Sequence, residues 1–239
     1  MTTPTERLRE YLEAQKENLR RALKFEPFAV LMPRVNGLYE LAITRMPADQ
    51  PSMFGRLLLV SHKSFLAAAA LIGQAQPDDS SPITRRAIEA VRLAVAIKLD
   101  PRNEERWVAY EQRLKRWQAR EAGRRPPKLP KPLKVAHPLL NDLMQTWGIL
   151  SDAAVHLTPE YLDSLPWELR GERLFLHYFT GEQRTIELEI VTLVGSHVQI
   201  LRAFDWCVDR ALSSTPGWKE QWNELERLGK PYAAKFESR

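Results

Sequence analysis

Residues 82–120 read PITRRAIEAVRLAVAIKLDPRNEERWVAYEQRLKRWQAR, and their pattern is that of two helices meeting at Asp100-Pro101. From Ile83 to Leu99 nearly every position is apolar, which suits a helix enclosed by other elements rather than one lying on a surface. Ile88, Val91, Val95 and Leu99 are its expected core residues. Pro101 lacks an amide hydrogen and biases Asp100 away from helical backbone, so a second helix restarts beyond it and runs to Arg120. Taking Arg102 as zero at 100° per residue, Arg106, Arg113, Arg116 and Arg120 all fall within about 40° of it. Trp107, Tyr110, Leu114 and Trp117 cluster roughly 60–140° around the same helix. The expectation is an enclosed helix up to Leu99 and, after the break, a helix presented to the surroundings.

Outward from this pair, helical spacing recurs. Thr5 to Leu23 places Leu8, Tyr11, Leu12 and Leu19 on one face, and Arg34 to Thr44 reads as a short helix after Pro27 and Pro33. Met53 to Gln74 is a third helix, with Leu57, Leu58, Phe65, Leu66 and Ile72 inward. Its run Ala67 to Ala70 allows a neighbour to approach closely. Downstream, Leu139 to Val155, Gln183 to Leu212 and Trp218 to Leu228 are helical, and Thr158-Pro159-Glu160 opens a shorter turn. Arg173 to Phe179 is β-rich in composition, and Arg170-Gly171 can turn a hairpin. The expected class is mainly α, a multi-helix bundle with a small β-hairpin insertion near residues 167–180. Three segments follow: an N-terminal helical segment 1–52, a central bundle 53–212, and a C-terminal helix and tail 213–239.

The chain has 239 residues and 44% hydrophobic content with seven Trp, enough for a sizeable core. Its single cysteine, Cys207, allows no intrachain disulfide and no four-ligand zinc set. No phosphate loop, dinucleotide fingerprint, nucleophile elbow or metal-ligand spacing is present, so neither a cofactor nor a metal is expected. The longest apolar run, Phe65 to Ile72, is far below the roughly 20 residues of a membrane span. With no apolar signal region at the start, a soluble, cytoplasmic protein without a membrane partner is expected.

The formal net charge is +5, yet residues 113–134 alone carry nine Lys/Arg against Glu121, a local +8 that leaves −3 for the rest. Much of this segment is the proline-rich linker from Gly123 to Pro138, extended in expectation. Anionic partners should therefore meet the arginine row together with Arg124, Arg125 and Lys128. Guanidinium groups match phosphate geometry, and exposed aromatics can stack on bases, so RNA or DNA is the expected partner. The alternative is that the aromatics pack on the core and the arginines merely solvate an outer face. Arg124-Arg-Pro-Pro-Lys-Leu-Pro130 also fits a polyproline ligand of SH3-type domains, or a plain linker.

On the central helix Arg85, Glu89 and Arg92 lie within about 60° of one another, a polar stripe on an apolar element. Buried charges must be paired, so a structural ion network reaching Ser151 or His156 is expected, or else an anion pocket. His156, after a Ser-Asp helix end, is a candidate general base without a convergent nucleophile.

Arg85-Arg-Ala-Ile-Glu-Ala90, the Leu99-Asp-Pro-Arg102 break, Leu150-Ser-Asp-Ala-Ala-Val-His156 and the last long helix together resemble a family of bacterial helical proteins related in architecture to HEPN bundles. The resemblance spans roughly residues 53–212. Many HEPN proteins are ribonucleases or toxins that use an Arg and a His four to six residues apart, and others are inactive binding modules. One match to that spacing occurs, Arg56-Leu-Leu-Leu-Val-Ser-His62, which the resemblance makes a candidate catalytic pair. The plainer reading is an exposed Arg56 and a hydrogen-bonded structural His62. The leading functional expectation is a non-enzymatic binding protein for an anionic partner. A HEPN-like ribonuclease, a toxin or defence component, comes next. A scaffold for a protein partner or a homodimer is the third.

Overall fold

The computed structural model describes residues 4–46, 52–120, 127–128, 135–154, 167–170, 173–176, 179 and 182–237. They form α1 (Pro4–Ala22), α2 (Glu26–Thr44), α3 (Ser52–Gly73), α4 (Ser81–Leu99), α5 (Arg102–Arg120), α6 (Asn141–Ala154), α7 (Gln183–Cys207) and α8 (Trp218–Glu237). Single 3-10 turns, Asp78–Ser80 and Pro138–Leu140, lead into α4 and α6. The architecture is a helical bundle. Among the described residues, two four-residue strands, β1 (Trp167–Arg170) and β2 (Arg173–Leu176), pair antiparallel as a two-stranded ribbon.

α4 is the axis of the bundle, with α3, α6 and α7 packed around it. Ala87, Ile88, Val91, Ala94 and Val95 have no exposed surface. Leu99, expected in the core, is 52% exposed: it lies on the outer side of a last turn whose Ala96 and Ile97 remain buried. Ala68 and Ala69 of α3 are buried, and small residues there and on α4 let the two helix backbones come close. Leu66, expected inward, is exposed. The buried apolar residues form one connected cluster running from Ala22 to Leu225.

Two helices pass through prolines where the sequence suggests breaks. α2 begins at Glu26, and Pro33 lies inside it on the exposed side. A proline removes one ladder hydrogen bond and crowds the preceding turn. Phe28, Leu31 and Met32 before it, and Val35, Leu38, Tyr39 and Ala42 after it, share one buried face, and that burial outweighs the lost bond. α8 likewise runs through Pro231 to Glu237. α7, by contrast, is shorter than its pattern and ends at Cys207. The turn expected from Thr158 lies outside the described residues.

α1 packs less fully than its periodicity suggests: Leu8, Leu12 and Leu23 are exposed, and only Ala22 is buried. It is tied to the end of α3 mainly by polar contacts. Gln15 Nε2 donates to Gln74 and Gln76 at 3.2 and 2.9 Å, and Asn18 donates to the Gln74 carbonyl at 3.2 Å. Gly73 is required there, since a Cβ would stand 2.9 Å from Leu19 Cδ1 and 3.1 Å from Phe28 Cζ. α3 is long and apolar enough in composition to cross a bilayer, and half of that stretch is buried inside the bundle.

Candidate functional site

The break between α4 and α5 is a built polar corner. The Asp100 carboxylate accepts the Arg102 amide at 3.1 Å and Arg102 Nε at 2.8 Å, and its other oxygen accepts Arg106 Nη1 at 3.0 Å. Hydrogen bonding to Arg102, helped by the Arg106 charge, holds this carboxyl below its usual range, and Asp100 in turn raises Arg102. Asn103 is 2% exposed. Its Nδ2 donates back to the Ala96 carbonyl at 2.8 Å, and its Oδ1 accepts Arg106 at 3.2 Å. The Ala96 carbonyl also accepts the Asp100 amide at 3.1 Å, so Asn103 adds a second bond to it that fixes the start of α5 against α4.

The arginine row is therefore divided. Arg102 and Arg106 are engaged with Asp100, whereas Arg113 and Arg116, with Lys115 between them, are exposed. Arg113 donates only to the carbonyl of Ala109 on its own helix, and none of the three has a carboxylate partner among the described residues. Lys128 is also exposed. The Arg120 side chain, Arg124 and Arg125 lie outside the described residues.

The aromatic row turns toward the bundle. Trp107 and Tyr110, their rings 5.5 Å apart and tilted by 36°, are half-buried and form one wall of a cleft of about 410 Å³. Leu57 and Val60 of α3 form its base, and Arg86 and Arg92 of α4 reach it from the other side. Trp107 is partly buried and packs against the core. The cleft joins a flat aromatic wall to two guanidinium groups and to the carboxylates of Glu89 and Glu111, so both signs of charge line it.

The stripe on α4 does not form a buried network. Glu89 is exposed, and Arg85 Nε pairs with it at 3.3 Å. Trp147 of α6 donates its indole N–H to Glu89 at 3.3 Å, and the Arg85 guanidinium lies over the Trp147 ring, 4.4 Å from its centroid. These contacts fasten α6 to α4. Arg92 takes no part in them. The Ser151 side chain and His156, expected partners of the stripe, lie outside the described residues.

Arg56 and His62 are six residues apart on α3, which sets them about 120° around the helix from each other. Arg56 is exposed. His62 is half-buried: its Nε2–H donates to Asn36 Oδ1 at 2.8 Å, and its ring stacks on Tyr39 at 5.0 Å. Burial lowers its pKa, partly opposed by Glu40. Beneath it the Tyr39 hydroxyl and His197 Nδ1 share a hydrogen bond of 2.7 Å, and His197 Nε2 is buried without a partner. Burial, with the nearby His62, pushes His197 down to about 3. Among the described residues no group of three or more His, Cys, Asp or Glu is placed to hold a metal ion.

With Asp100, the residues Asn103, Tyr39 and His197 carry this polar structure, and those three do not stand out in the sequence. The signal for Asp100 was its place before a proline with two arginines at i+2 and i+6. His197 sits in an apolar periodic run that disguises it. Comparison of the chain with protein-family models, with curated proteins and with solved structures finds no significant match.

Proposed function

We propose that the protein is a non-enzymatic helical-bundle binder of polyanions, nucleic acid foremost. In this reading it engages phosphates through the C-terminal half of α5 and the basic proline-rich segment after it. The observation that carries the reading is the exposure of Arg113, Lys115 and Arg116 without a carboxylate partner among the described residues, within the segment that holds the +8 charge. The Trp107–Tyr110 wall supports it only as an aromatic surface on which an unpaired base can stack.

Fluorescence anisotropy with labelled RNA and DNA between about 50 and 200 mM salt tests the reading. Wild-type affinity is expected to fall steeply with salt. A protein carrying Arg113→Gln, Lys115→Gln and Arg116→Gln is expected to bind all sequences more weakly, with the slope of log K against log salt shallower by about 2 to 3. Its stability should shift by no more than about 0.5 kcal/mol. Absence of binding at low salt, or a variant that binds like wild type, removes the proposal.

A HEPN-like ribonuclease is the second reading, resting on the Arg56–His62 spacing. The engagement of His62 by Asn36 and Tyr39, and the angular separation of Arg56, give it less support. Its test is loss of RNA cleavage in His62→Ala. For the scaffold reading, most of the proline-rich candidate segment lies outside the described residues.

A further inference from the structure

After α7 the chain reverses through Asp209 (φ 53°) and Arg210 (φ 67°), two consecutive non-glycine residues in the left-handed region. Such backbone is costly for residues with a Cβ and persists only where the surroundings hold it. Asp205, 3% exposed, does so. One carboxylate oxygen accepts the Ser213 amide at 2.8 Å, the other accepts Arg210 Nη1 at 3.3 Å, and the Asp205 carbonyl accepts the Arg210 amide at 2.8 Å. The hydroxyls of Ser213 and Ser214 close the turn on the Arg210 carbonyl at 3.1 and 2.9 Å. A buried carboxylate and a strained reversal are thus maintained together. Their visible product is the placement of the Arg210 head, 64% exposed, at the edge of a cavity.

That cavity, of about 360 Å³, has its second wall on the first turn of α8, where the rings of Trp218 and Trp222 stack at 5.8 Å and 19°. Lys219 stands beside them, exposed and without an ion pair or hydrogen bond among the described residues. The third wall is Arg202 of α7, its guanidinium 5.1 Å from the Trp222 ring centroid. Glu226 accepts both Arg202 Nη2 and the Trp222 indole N–H at 2.8 Å, which sets the two flat groups relative to each other. Three cationic heads therefore surround one concavity; Arg210 is paired with Asp205 and Arg202 with Glu226, which leaves Lys219 as the cation without a carboxylate partner among the described residues. Positive charge left over beside aromatic surface selects an anion that carries a planar group.

We propose that this cavity binds a small phosphorylated ring compound of mononucleotide size. The phosphate lies between Lys219 and Arg210, and the ring packs against Trp222 and the plane of Arg202. The volume is at the lower end of the roughly 300–1,000 Å³ of ligand pockets, which suits a single nucleotide and not a dinucleotide cofactor. The cavity shares no residue with the α5 cleft, so the inference stands apart from the polyanion reading.

Isothermal titration of the full chain with adenosine 5′-monophosphate tests it, with adenosine and inorganic phosphate as separate arms. Saturable binding of the monophosphate with Kd below about 1 mM is expected, with each fragment at least about tenfold weaker. Lys219→Gln, an exposed change that leaves the Asp205 turn intact, is expected to weaken the monophosphate about tenfold, the size of one lost charge-assisted contact. Trp222→Leu is expected to weaken monophosphate binding while leaving phosphate binding unchanged. Arg113→Gln with Arg116→Gln should leave monophosphate affinity as it was. A short oligonucleotide with a 5′-phosphate, titrated into the Arg113→Gln, Lys115→Gln, Arg116→Gln protein, distinguishes sources within the same site: affinity equal to the monophosphate identifies a strand end, and weaker binding a free nucleotide. No saturation by the monophosphate, an affinity untouched by Lys219→Gln, or one lost with the α5 arginines overturns the proposal.

Discussion

His197 and Glu189 are both on α7, and burial displaces their titrations in opposite directions. Below about pH 6.5 the unfolded chain takes a proton at His197 that the folded chain refuses until about pH 3. Acidification across that window therefore removes about 1.4 kcal/mol of stability per pH unit. Glu189 is pushed up to about 7 by burial, with the charge of Asp78 adding to it. The folded chain then keeps a proton below about pH 7 that the unfolded chain releases down to its ordinary value of 4.5. Acidification across that range adds stability at the same rate. Between about pH 6.5 and 4.5 the two oppose, leaving wild-type stability nearly level apart from a shallow loss from His62, whose pKa is also lowered. Urea unfolding at three pH values should separate them. Glu189→Gln is expected to expose a loss of stability toward pH 4.5, and His197→Gln, which keeps an acceptor for Tyr39, a gain. A Glu189→Gln protein of level stability would contradict this account. Neither group was legible as special in the sequence, because burial of one side chain among helices depends on partners distant in the chain.

At the scale of elements, the end of α3 offers a direct test. The Gln76 amide reaches back to the Leu71 carbonyl at 2.9 Å, with Ala75 at φ 63° in the position that glycine ordinarily fills. Ala75→Gly removes the clash of Cβ with the left-handed turn, and the relief exceeds the entropy that glycine adds to the unfolded chain. Stability is expected to rise by about 0.5–1 kcal/mol, read as a melting temperature about 1–4 °C higher. An unchanged or lower value would show that the Ala75 methyl matters more through its packing. α4 was legible from its own residues, since a helix apolar on every side has few places to lie. α2 and α8 were not legible in extent: proline rules act locally, and the burial that overrides them at Pro33 comes from α3, α7 and α8. The end of α7 was hidden for a related reason, as nothing local marks Asp209 and Arg210 for left-handed backbone.

For the molecule as a whole, α4 is the element whose loss should take everything with it. Val91 is fully buried at its middle, and Val91→Asp places an unpaired charge where no partner can reach it. The expected destabilisation exceeds about 4 kcal/mol, and thermal melting or expression in soluble form reads it. A variant with wild-type melting behaviour would mean that α4 is peripheral. The candidate site was legible in part on this scale. Charge counting located the basic segment, while angular position alone grouped Arg102 and Arg106 with arginines that have no carboxylate partner among the described residues, because a helical wheel carries no information about a carboxylate just before the helix. That corner has a mechanical consequence. A 19-residue helix is about 28 Å long, and α5 is clamped by Asp100 and Asn103 at one end with its unpaired cations toward the other. It is a lever with its fulcrum at Asp100: a change of about 10° at the corner would carry the far end through roughly 5 Å, close to the length of one helical turn. The placement of the basic tip is thereby sensitive to a joint far from it.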